Sequence, residues 1–288
     1  MADVAVVGVG RMGGAMARKI CGAGHQVTLW NRSKPTAETV ASECGAEAAN
    51  TAAEAVKRAD VVISMLATGA VTEAVLLSDD VLAALRPGAV VCDMATSGVA
   101  TAHALAEALT RRGTHFVDAP VSGSVVTIAA GQLLVMASGS RVGVDIAEPV
   151  LAAFAKRVAY LGEAGAGQAM KLAVNLVVHT LNSALSEALA LAAASGVAPE
   201  AAYDVFADSV VAAPFVTYKR QAFLDPGAPV AMSLDLTAKD LDLITDQAAE
   251  SGVRAVVADA VRAEVGAACA AGWGDRDMAA LAGFLRHP

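Results

Sequence analysis

Asp3-Val4-Ala5-Val6-Val7-Gly8-Val9-Gly10-Arg11-Met12-Gly13 is the stretch that decides the fold of this 288-residue chain. An apolar run typical of a buried strand leads into a G-x-G-x-x-G loop, and a helical run follows. Gly8 permits the tight turn, Gly10 lets the backbone approach a pyrophosphate, and Gly13 lets the helix pack close to the sheet. The N-terminus of that helix presents free N–H groups to phosphates. We therefore predict a dinucleotide site that includes Gly8, Gly10, Arg11, Met12 and Gly13.

Apolar strand-like runs continue to alternate with helical runs after this loop. They lie at Gln26–Trp30, Val61–Leu66, Ala89–Met94, His115–Val117, Leu133–Ala137 and Val158–Leu161. Such alternation predicts an α/β fold with a doubly wound parallel sheet. After the flexible join Gly165-Ala166-Gly167 the pattern becomes helical throughout. We predict a Rossmann-type domain over 1–163 and an all-α domain over 164–288, opened by a long helix.

The composition narrows the class of protein and its partners. With 56% hydrophobic and 17% charged residues, the chain is not of the disordered class and can bury a large core. Its formal charge of −8 and the lack of a Lys/Arg block make nucleic acid and anionic membranes poor partners. Four scattered cysteines form no CxxC motif, no His/Cys/carboxylate cluster suggests a metal site, and no signal-type segment opens the chain. We expect reduced thiols and a cytoplasmic protein.

The predicted helix over 168–195 has two interpretations. It is apolar enough for a membrane span, but Lys171, Asn175, His179, Asn182 and Glu187 interrupt it and would be costly in hydrocarbon, which favours a buried helix. At 1.5 Å per residue it would be about 42 Å long, more than its own domain can cover. We therefore expect a homodimer or homotetramer that buries this helix.

The residues after the second strand bear on the choice of cofactor. An NAD enzyme places Asp or Glu there to bind the ribose 2′-hydroxyl. This chain has Asn31-Arg32-Ser33 instead. The Arg32 guanidinium can bind a 2′-phosphate, and the two flanking side chains can add donors. We predict a preference for NADP(H) over NAD(H), the alternative being a solvated loop arginine.

Two further patterns indicate catalytic chemistry. Lys171 lies inside the apolar helix with Asn175 one turn later, and burial can bring a lysine into the working range of a general acid/base. The alternative is a lysine that reaches solvent from the helix start. The run Asp118–Ser124 follows a strand at the carboxyl edge of the sheet, where it is either a site for a small carboxylate or an ordinary polar turn.

Together these motifs resemble those of the β-hydroxyacid dehydrogenase family, which includes 3-hydroxyisobutyrate dehydrogenase, tartronate semialdehyde reductase and glyoxylate/succinic semialdehyde reductase. The matching stretches span the chain: Gly8–Gly13, Asp118–Gly123, Gly165–Gln168 with Lys171 and Asn175, and Lys239-Asp240. The resemblance implies that Lys171 is the general acid/base and that Asn175 orients the substrate. It also implies a substrate site of Ser122, Gly123, Ser124, Thr96 and Asp240, and further cofactor contacts from Met65, Leu66, Thr96 and Lys239.

The details resemble the NADPH-dependent semialdehyde-reductase branch most, because Ser124 replaces the third residue of a Ser-Gly-Gly run and Arg32 follows the second strand. The run Leu236–Asp240 lacks that branch's histidine, which leaves the substrate open. We predict hydride transfer between nicotinamide and a small β-hydroxy acid or its semialdehyde. Alternatives are an imine reductase on a related scaffold, against which Lys171 and the carboxylate loop argue, and a non-catalytic NADPH-binding protein.

Overall fold

The computed structural model describes residues 1–286, so the end of the predicted second domain and His287 lie outside the described residues. The chain forms two compact units, Met1–Lys171 and a second that begins at Leu172. The long helix begins in the first unit and continues into the second.

The first unit contains one sheet of parallel strands with a mixed edge. Its strands are β1 Asp3–Val7, β2 Gln26–Trp30, β3 Glu47–Ala48, β4 Val61–Ser64, β5 Val90–Asp93, β6 His115–Asp118, β7 Val121–Ser122, β8 Leu133–Gly139 and β9 Ala155–Tyr160. Their order is β3-β2-β1-β4-β5-β6-β8-β7, with β9 paired to β8. The pairs from β3 to β6 are parallel, whereas β8 is antiparallel to β6 and β7. The order reverses on either side of β1, which is where ligands of open α/β sheets bind.

Helices cover both faces of this sheet. They are α1 Arg11–Gly22, α2 Lys34–Cys44, α3 Ala52–Val56, α4 Gly69–Leu76, α5 Asp79–Ala84, α6 Val99–Thr110, α7 Val125–Ala129 and α8 Arg141–Leu151. Alternate residues of β1 enter different cores: Val4 and Val6 pack with α1 and α8, and Ala5 and Val7 pack with α3 and α6. Burial on both faces explains the uninterrupted apolar strands, and the predicted doubly wound Rossmann-type fold is confirmed.

The long helix and the second unit complete the fold as an all-α region. The helices are α9 Ala166–Ala194, α10 Pro199–Asp208, α11 Pro214–Leu224, α12 Leu234–Glu250, α13 Val256–Ala268 and α14 Leu281–Arg286. A π-helical turn, Cys269–Trp273, and a 3₁₀ turn, Met278–Ala280, lie between the last two.

Within the second unit, α9 buries polar side chains and exposes apolar ones. Its buried polar residues are Asn175, His179, Asn182, Ser183 and Ser186. Val177 and Leu191, by contrast, are 66% and 71% exposed. By length and hydropathy α9 could cross a membrane, and a third of its most apolar window is buried. The sequence analysis identified the polar residues of this helix but did not assign them to its buried face.

Two local contacts of the first unit could not be read from the sequence. The helix α6 begins at Val99 with Gly98 at its N-cap, because the hydroxyl of Ser97, a usual N-cap residue type, donates to Asp93 instead. The Sγ atoms of Cys21 on α1 and Cys44 on α2 lie 3.2 Å apart as free thiols, although the two residues are 23 positions apart in the sequence.

Candidate active site

The carboxyl ends of five parallel strands stand in one row across the sheet. Val7 of β1 pairs in register with Trp30 of β2 and with Ser64 of β4. Ser64 pairs with Asp93 of β5, which pairs with Asp118 of β6. The predicted cofactor and substrate segments of the first unit follow directly after this row. They are Gly8–Gly13, Asn31–Ser33, Met65-Leu66, Thr96 and Ser122–Ser124.

The three glycines of the cofactor loop have different physical reasons to be glycine. Gly8 has a φ of +92°, and a Cβ there would lie 2.5 Å from the Met65 carbonyl oxygen. A Cβ on Gly13 would lie 2.0 Å from the Gly8 oxygen, so α1 could not approach the loop. A Cβ on Gly10 would meet no protein atom within 4 Å. The fold therefore needs Gly8 and Gly13, while the open space at Gly10 fits a ligand that approaches the backbone, such as a pyrophosphate.

The residues after β2 lie beside this loop. The Asn31 Oδ1 accepts from the Val9 N–H at 3.2 Å, and its Nδ2 donates to the Ser33 carbonyl. Asn31 thus ties the loop to β2, and its amide is already engaged rather than open to a ligand as the sequence suggested. Arg32 and Ser33 are exposed. A cleft of about 460 Å³ beside them is lined by residues that include Gly10, Arg11, Pro35 and Thr36.

The side chains of the first unit that were predicted to make further cofactor contacts lie further along the row. Met65 and Leu66 follow β4 and are half-buried, and the half-buried Thr96 follows β5. The Cβ positions of Gly8 and Gly13 both point at Met65, so this residue also defines how closely the loop approaches β4.

The predicted carboxylate loop is built more tightly than a flexible turn. Gly123 has a φ of +140°, and a Cβ there would collide with the Thr127 Oγ1 at 2.3 Å. The Ser124 N–H donates to that hydroxyl at 2.6 Å, which starts α7. The Ser124 amide is therefore not available to a carboxylate. Ser122 at the end of β7 is half-buried.

A buried polar network lies under the same edge, and sequence reasoning missed it. The Asp118 carboxylate accepts from the Ser138 hydroxyl and from the backbone N–H groups of Gly165 and Gln168. The Gln168 side chain binds Asp118 and the loop that carries Thr96. Burial raises the pKa of the Asp118 carboxyl. Both residues belong to motifs that the sequence analysis quoted. Their hydrogen bond could not be predicted, however, because Asp118 and Gln168 are 50 residues apart in the sequence.

Asp93, the next carboxylate in the row, was also missed. It is 1% exposed and accepts from the Ser97 hydroxyl at 2.6 Å. Burial, together with repulsion from Asp118, raises the pKa of the Asp93 carboxyl to about 7.

In the second unit, Asp240 contacts two of the predicted site residues, Asn175 and Lys239. Its Oδ2 accepts from the Asn175 Nδ2 at 2.6 Å, and its Oδ1 lies 3.0 Å from the Lys239 Nζ. The buried His179 Nε2 lies 3.6 Å from the same carboxylate, a proximity that the sequence analysis did not predict. Burial alone would raise the pKa of Asp240, but the His179 ring and the Lys239 ammonium lower it below its usual value. Lys171 is half-buried, one turn before Asn175 on α9.

Comparison with known proteins identifies the family. The family model described as the NAD binding domain of 6-phosphogluconate dehydrogenase matches residues 3–162. The one described as NAD-binding of NADP-dependent 3-hydroxyisobutyrate dehydrogenase matches residues 165–285. A probable 3-hydroxyisobutyrate dehydrogenase of Mycobacterium tuberculosis is 36% identical over 300 residues, covering 99% of this chain and 98% of the relative. The chain belongs to the β-hydroxyacid dehydrogenase family.

Other members of the β-hydroxyacid dehydrogenase family are similar over the same length. Glyoxylate/succinic semialdehyde reductase 1 of Arabidopsis thaliana is 31% identical over 280 residues, covering 97% of this chain and 96% of the relative. The crystal structure of 3-hydroxyisobutyrate dehydrogenase from Salmonella typhimurium superposes with a TM-score of 0.92 at 29% identity, covering 99% of this chain and all of that one. This β-hydroxyacid dehydrogenase family member is thus an oxidoreductase with NAD(P)-binding domains. Among residues 1–286, no group of three or more His, Cys, Asp and Glu side chains is placed to hold a metal ion.

Proposed function

We propose that this protein catalyses reversible, NADP(H)-linked hydride transfer between nicotinamide and a small β-hydroxy acid or its semialdehyde. The observation that carries the proposal is the register row from Trp30 to Asp118, because it brings the dinucleotide loop and the carboxylate loop to one edge of the sheet. Candidate substrates are 3-hydroxyisobutyrate, tartronate semialdehyde, glyoxylate and succinic semialdehyde.

Bound NADPH supplies the hydride, and the chain's own residues bind, orient and move the proton. In the reducing direction Lys171 donates a proton to the oxygen of the aldehyde, and in the oxidising direction it takes the hydroxyl proton. Ser122 and Gly123 hold the substrate carboxylate, so that the carbonyl is oriented before reaction. Asn175, fixed by its bond to Asp240, orients the substrate one turn beyond Lys171.

The proposed preference for NADP(H) rests on Arg32. It is exposed directly after β2, and no carboxylate stands at residues 31–33 to repel a 2′-phosphate. The N-terminus of α1 carries no acidic residue in its first turn, which suits phosphates.

We further propose a cytoplasmic homodimer or homotetramer that pairs through α9 and acts on a soluble carboxylate, with neither nucleic acid nor membrane as a partner. Val177, Ala184 and Leu191 are exposed at seven-residue spacing along α9 in the second unit. A stripe at this spacing fits the packing of one helix against another. The polar side chains on the opposite face are buried within the chain, so the apolar stripe is the part left for a second copy.

The replacement Lys171→Met tests the proposal. It keeps the aliphatic length and removes the ammonium. A substrate screen at 340 nm first selects the best substrate: 3-hydroxyisobutyrate, serine, threonine, glycerate and 4-hydroxybutyrate with NADP, and glyoxylate, succinic semialdehyde and tartronate semialdehyde with NADPH. We expect kcat to fall by about 10²- to 10⁴-fold, the usual loss for a general acid/base, with the NADPH Kd nearly unchanged.

The exposed Lys156, on β9, offers the matched control. Lys156→Met should leave both kcat and NADPH affinity unchanged. Retention of more than a tenth of the wild-type kcat in Lys171→Met would remove Lys171 from the acid/base role. NADPH binding without turnover of any substrate in the panel would favour a non-catalytic protein.

A further inference from the structure

We propose that Gln168 is a positioning residue that fixes the Thr96 loop to the helix turn that carries Lys171. This inference rests on the proposed role of Lys171 as acid/base. Gln168 is fully buried at the start of α9, in the first unit. Its side-chain hydrogen bonds go to Asp118 and to the loop that carries Thr96.

The Gln168 amide uses its whole hydrogen-bonding capacity. Its Oε1 accepts from the backbone N–H groups of Ser97 and Gly98, at 3.1 and 3.2 Å. Its Nε2 donates to the Ala95 carbonyl at 2.9 Å and to the Asp118 Oδ1 at 3.1 Å. A primary amide has two donor hydrogens and two acceptor lone pairs, so all four positions are filled. Thr96 lies between two residues that Gln168 binds, Ala95 and Ser97.

The direction of this amide is determined by its surroundings. Rotating it by 180° would place the NH₂ against the N–H groups of Ser97 and Gly98, and the oxygen against Asp118 and the Ala95 carbonyl. Each hydrogen bond would then become a repulsive contact in a dry site, where unsatisfied polar groups are most costly. Asp118 therefore orients Gln168, and Gln168 sets the position of the Thr96 loop.

The same carboxylate anchors the beginning of α9. The Asp118 Oδ2 accepts from the N–H groups of Gly165 and Gln168, at 3.2 and 3.0 Å. The Ser138 hydroxyl, itself bound to Asp118, accepts from the Gly167 N–H at 2.9 Å. These bonds satisfy N–H groups that every helix start leaves unpaired. The first turn of α9 is thus fixed to the sheet strands β6 and β8.

Lys171 follows Gln168 by three residues, within the next turn of the same helix. The path from Thr96 to Lys171 therefore runs through one side chain and one helical turn. Displacement of a reacting group by about 1 Å can cost about 10²-fold in rate, although the groups themselves remain present. The geometry points to Gln168 as the residue that holds this distance.

The test uses the purified 288-residue chain and compares Gln168→Met with the wild type. Methionine has a similar length and none of the hydrogen bonds. We expect kcat to fall about 10- to 100-fold, in line with a displaced acid/base. The NADPH Kd from fluorescence titration should stay within about threefold, because the phosphate and Arg32 contacts are untouched.

Gln168→Glu adds a readout that lost packing would not give. The new carboxylate would face Asp118 and the Ala95 carbonyl, so only its protonated form can donate there. Asp93, which binds Ser97 of the same loop, is present in wild type and in every variant. We therefore expect the kcat of Gln168→Glu to show an additional fall as pH rises, on a limb that wild type and Gln168→Met lack. Adding Asp118→Asn to Gln168→Glu places an amide N–H donor opposite the new carboxylate. The double variant should have a kcat at least threefold higher than that of Gln168→Glu, and its additional pH limb should be weaker.

Asn182→Leu is the matched control, because Asn182 is another buried amide on α9 and donates to the Met278 carbonyl at 2.9 Å. It should lower Tm without lowering kcat below about half of wild type. The inference is overturned if Gln168→Met keeps more than a third of the wild-type kcat. It is also overturned if Gln168→Met and Asn182→Leu each lose kcat in proportion to their loss of Tm. Failure of Lys171→Met to lose activity would instead refute the proposed acid/base, so the two failures can be told apart.

Discussion

The replacement Gly10→Ala should abolish tight NADPH binding while leaving the fold intact. The added Cβ meets no protein atom within 4 Å, and the backbone at Gly10 (φ −65°, ψ −159°) is extended, so an alanine fits. Loss of a favourable N-cap residue costs up to about 1 kcal/mol. For a unit of this size that corresponds to a fall in Tm of about 2–4 °C.

The effect on binding should be much larger. The Cβ occupies the space that a pyrophosphate would need in order to reach the N–H groups at the start of α1. Losing one charge-assisted hydrogen bond costs about 1.5–3 kcal/mol. The NADPH Kd, measured by fluorescence titration, should therefore rise by about 10- to 150-fold.

Gly13→Ala makes the same chemical change three residues later and supplies the contrast. Its Cβ would lie 2.0 Å from the Gly8 carbonyl oxygen, so α1 must move away from the loop. Overpacking of this kind typically costs about 1–3 kcal/mol and can cost more. We expect a clear loss of Tm in this variant. If the NADPH Kd of Gly10→Ala stays within threefold of wild type, the loop does not hold the pyrophosphate. If Gly13→Ala has the same Tm as Gly10→Ala, the packing argument is wrong.

Three further predictions concern the cofactor, the assembly and pH. Arg32→Asp should raise the NADPH KM by about tenfold to a hundredfold while NADH is unaffected or improves, and equal use of both cofactors by wild type would contradict the proposal. Leu191→Glu should convert the oligomer to monomers in sedimentation, whereas Val142→Glu, at an exposed position of α8, should not; a wild-type monomer near 28.8 kDa would refute the proposed assembly. Because burial raises the pKa of Asp93 to about 7 from 3.8, the folded state holds a proton that the unfolded chain releases. The bound proton therefore stabilises the folded state at low pH, and this contribution to the free energy of unfolding is lost as pH rises from about 4 through about 7. The loss is at most about 4 kcal/mol. The Tm of wild type should fall relative to that of Asp93→Asn across this pH range, and the two should change in parallel above it.

The sequence alone was sufficient for the fold class, the family and the dinucleotide loop. Each of these depends on contiguous residues. An apolar strand, a glycine loop and a helix start are local patterns whose physical requirements can be read from neighbouring side chains. Gly8 and Gly13 illustrate this, because the turn and the close packing that they permit involve the same βα unit and the strand beside it.

Faces and partners were less accessible to sequence reasoning. The sequence predicts α9 as an apolar helix with polar interruptions, yet the structure buries Asn175 and His179 and exposes Val177 and Leu191. Which side of a helix is covered depends on the elements that pack against it, here including Asp240 on α12, which lies 65 residues from Asn175. Spacing gives the angle between side chains but not the direction in which the core lies.

The tertiary structure alone decided how the carboxyl edge of the sheet is held together. The register of five parallel strands places Asp93 beside Asp118, and the 50-residue link from Asp118 to Gln168 joins the Thr96 loop to the helix of Lys171. The sequence analysis placed Asp118 in a predicted substrate motif, whereas in the structure its carboxylate accepts buried hydrogen bonds from the protein itself. Strand register and the pairing of buried polar groups are set by the sum of contacts from both faces of the sheet, and no single stretch of the chain contains that sum.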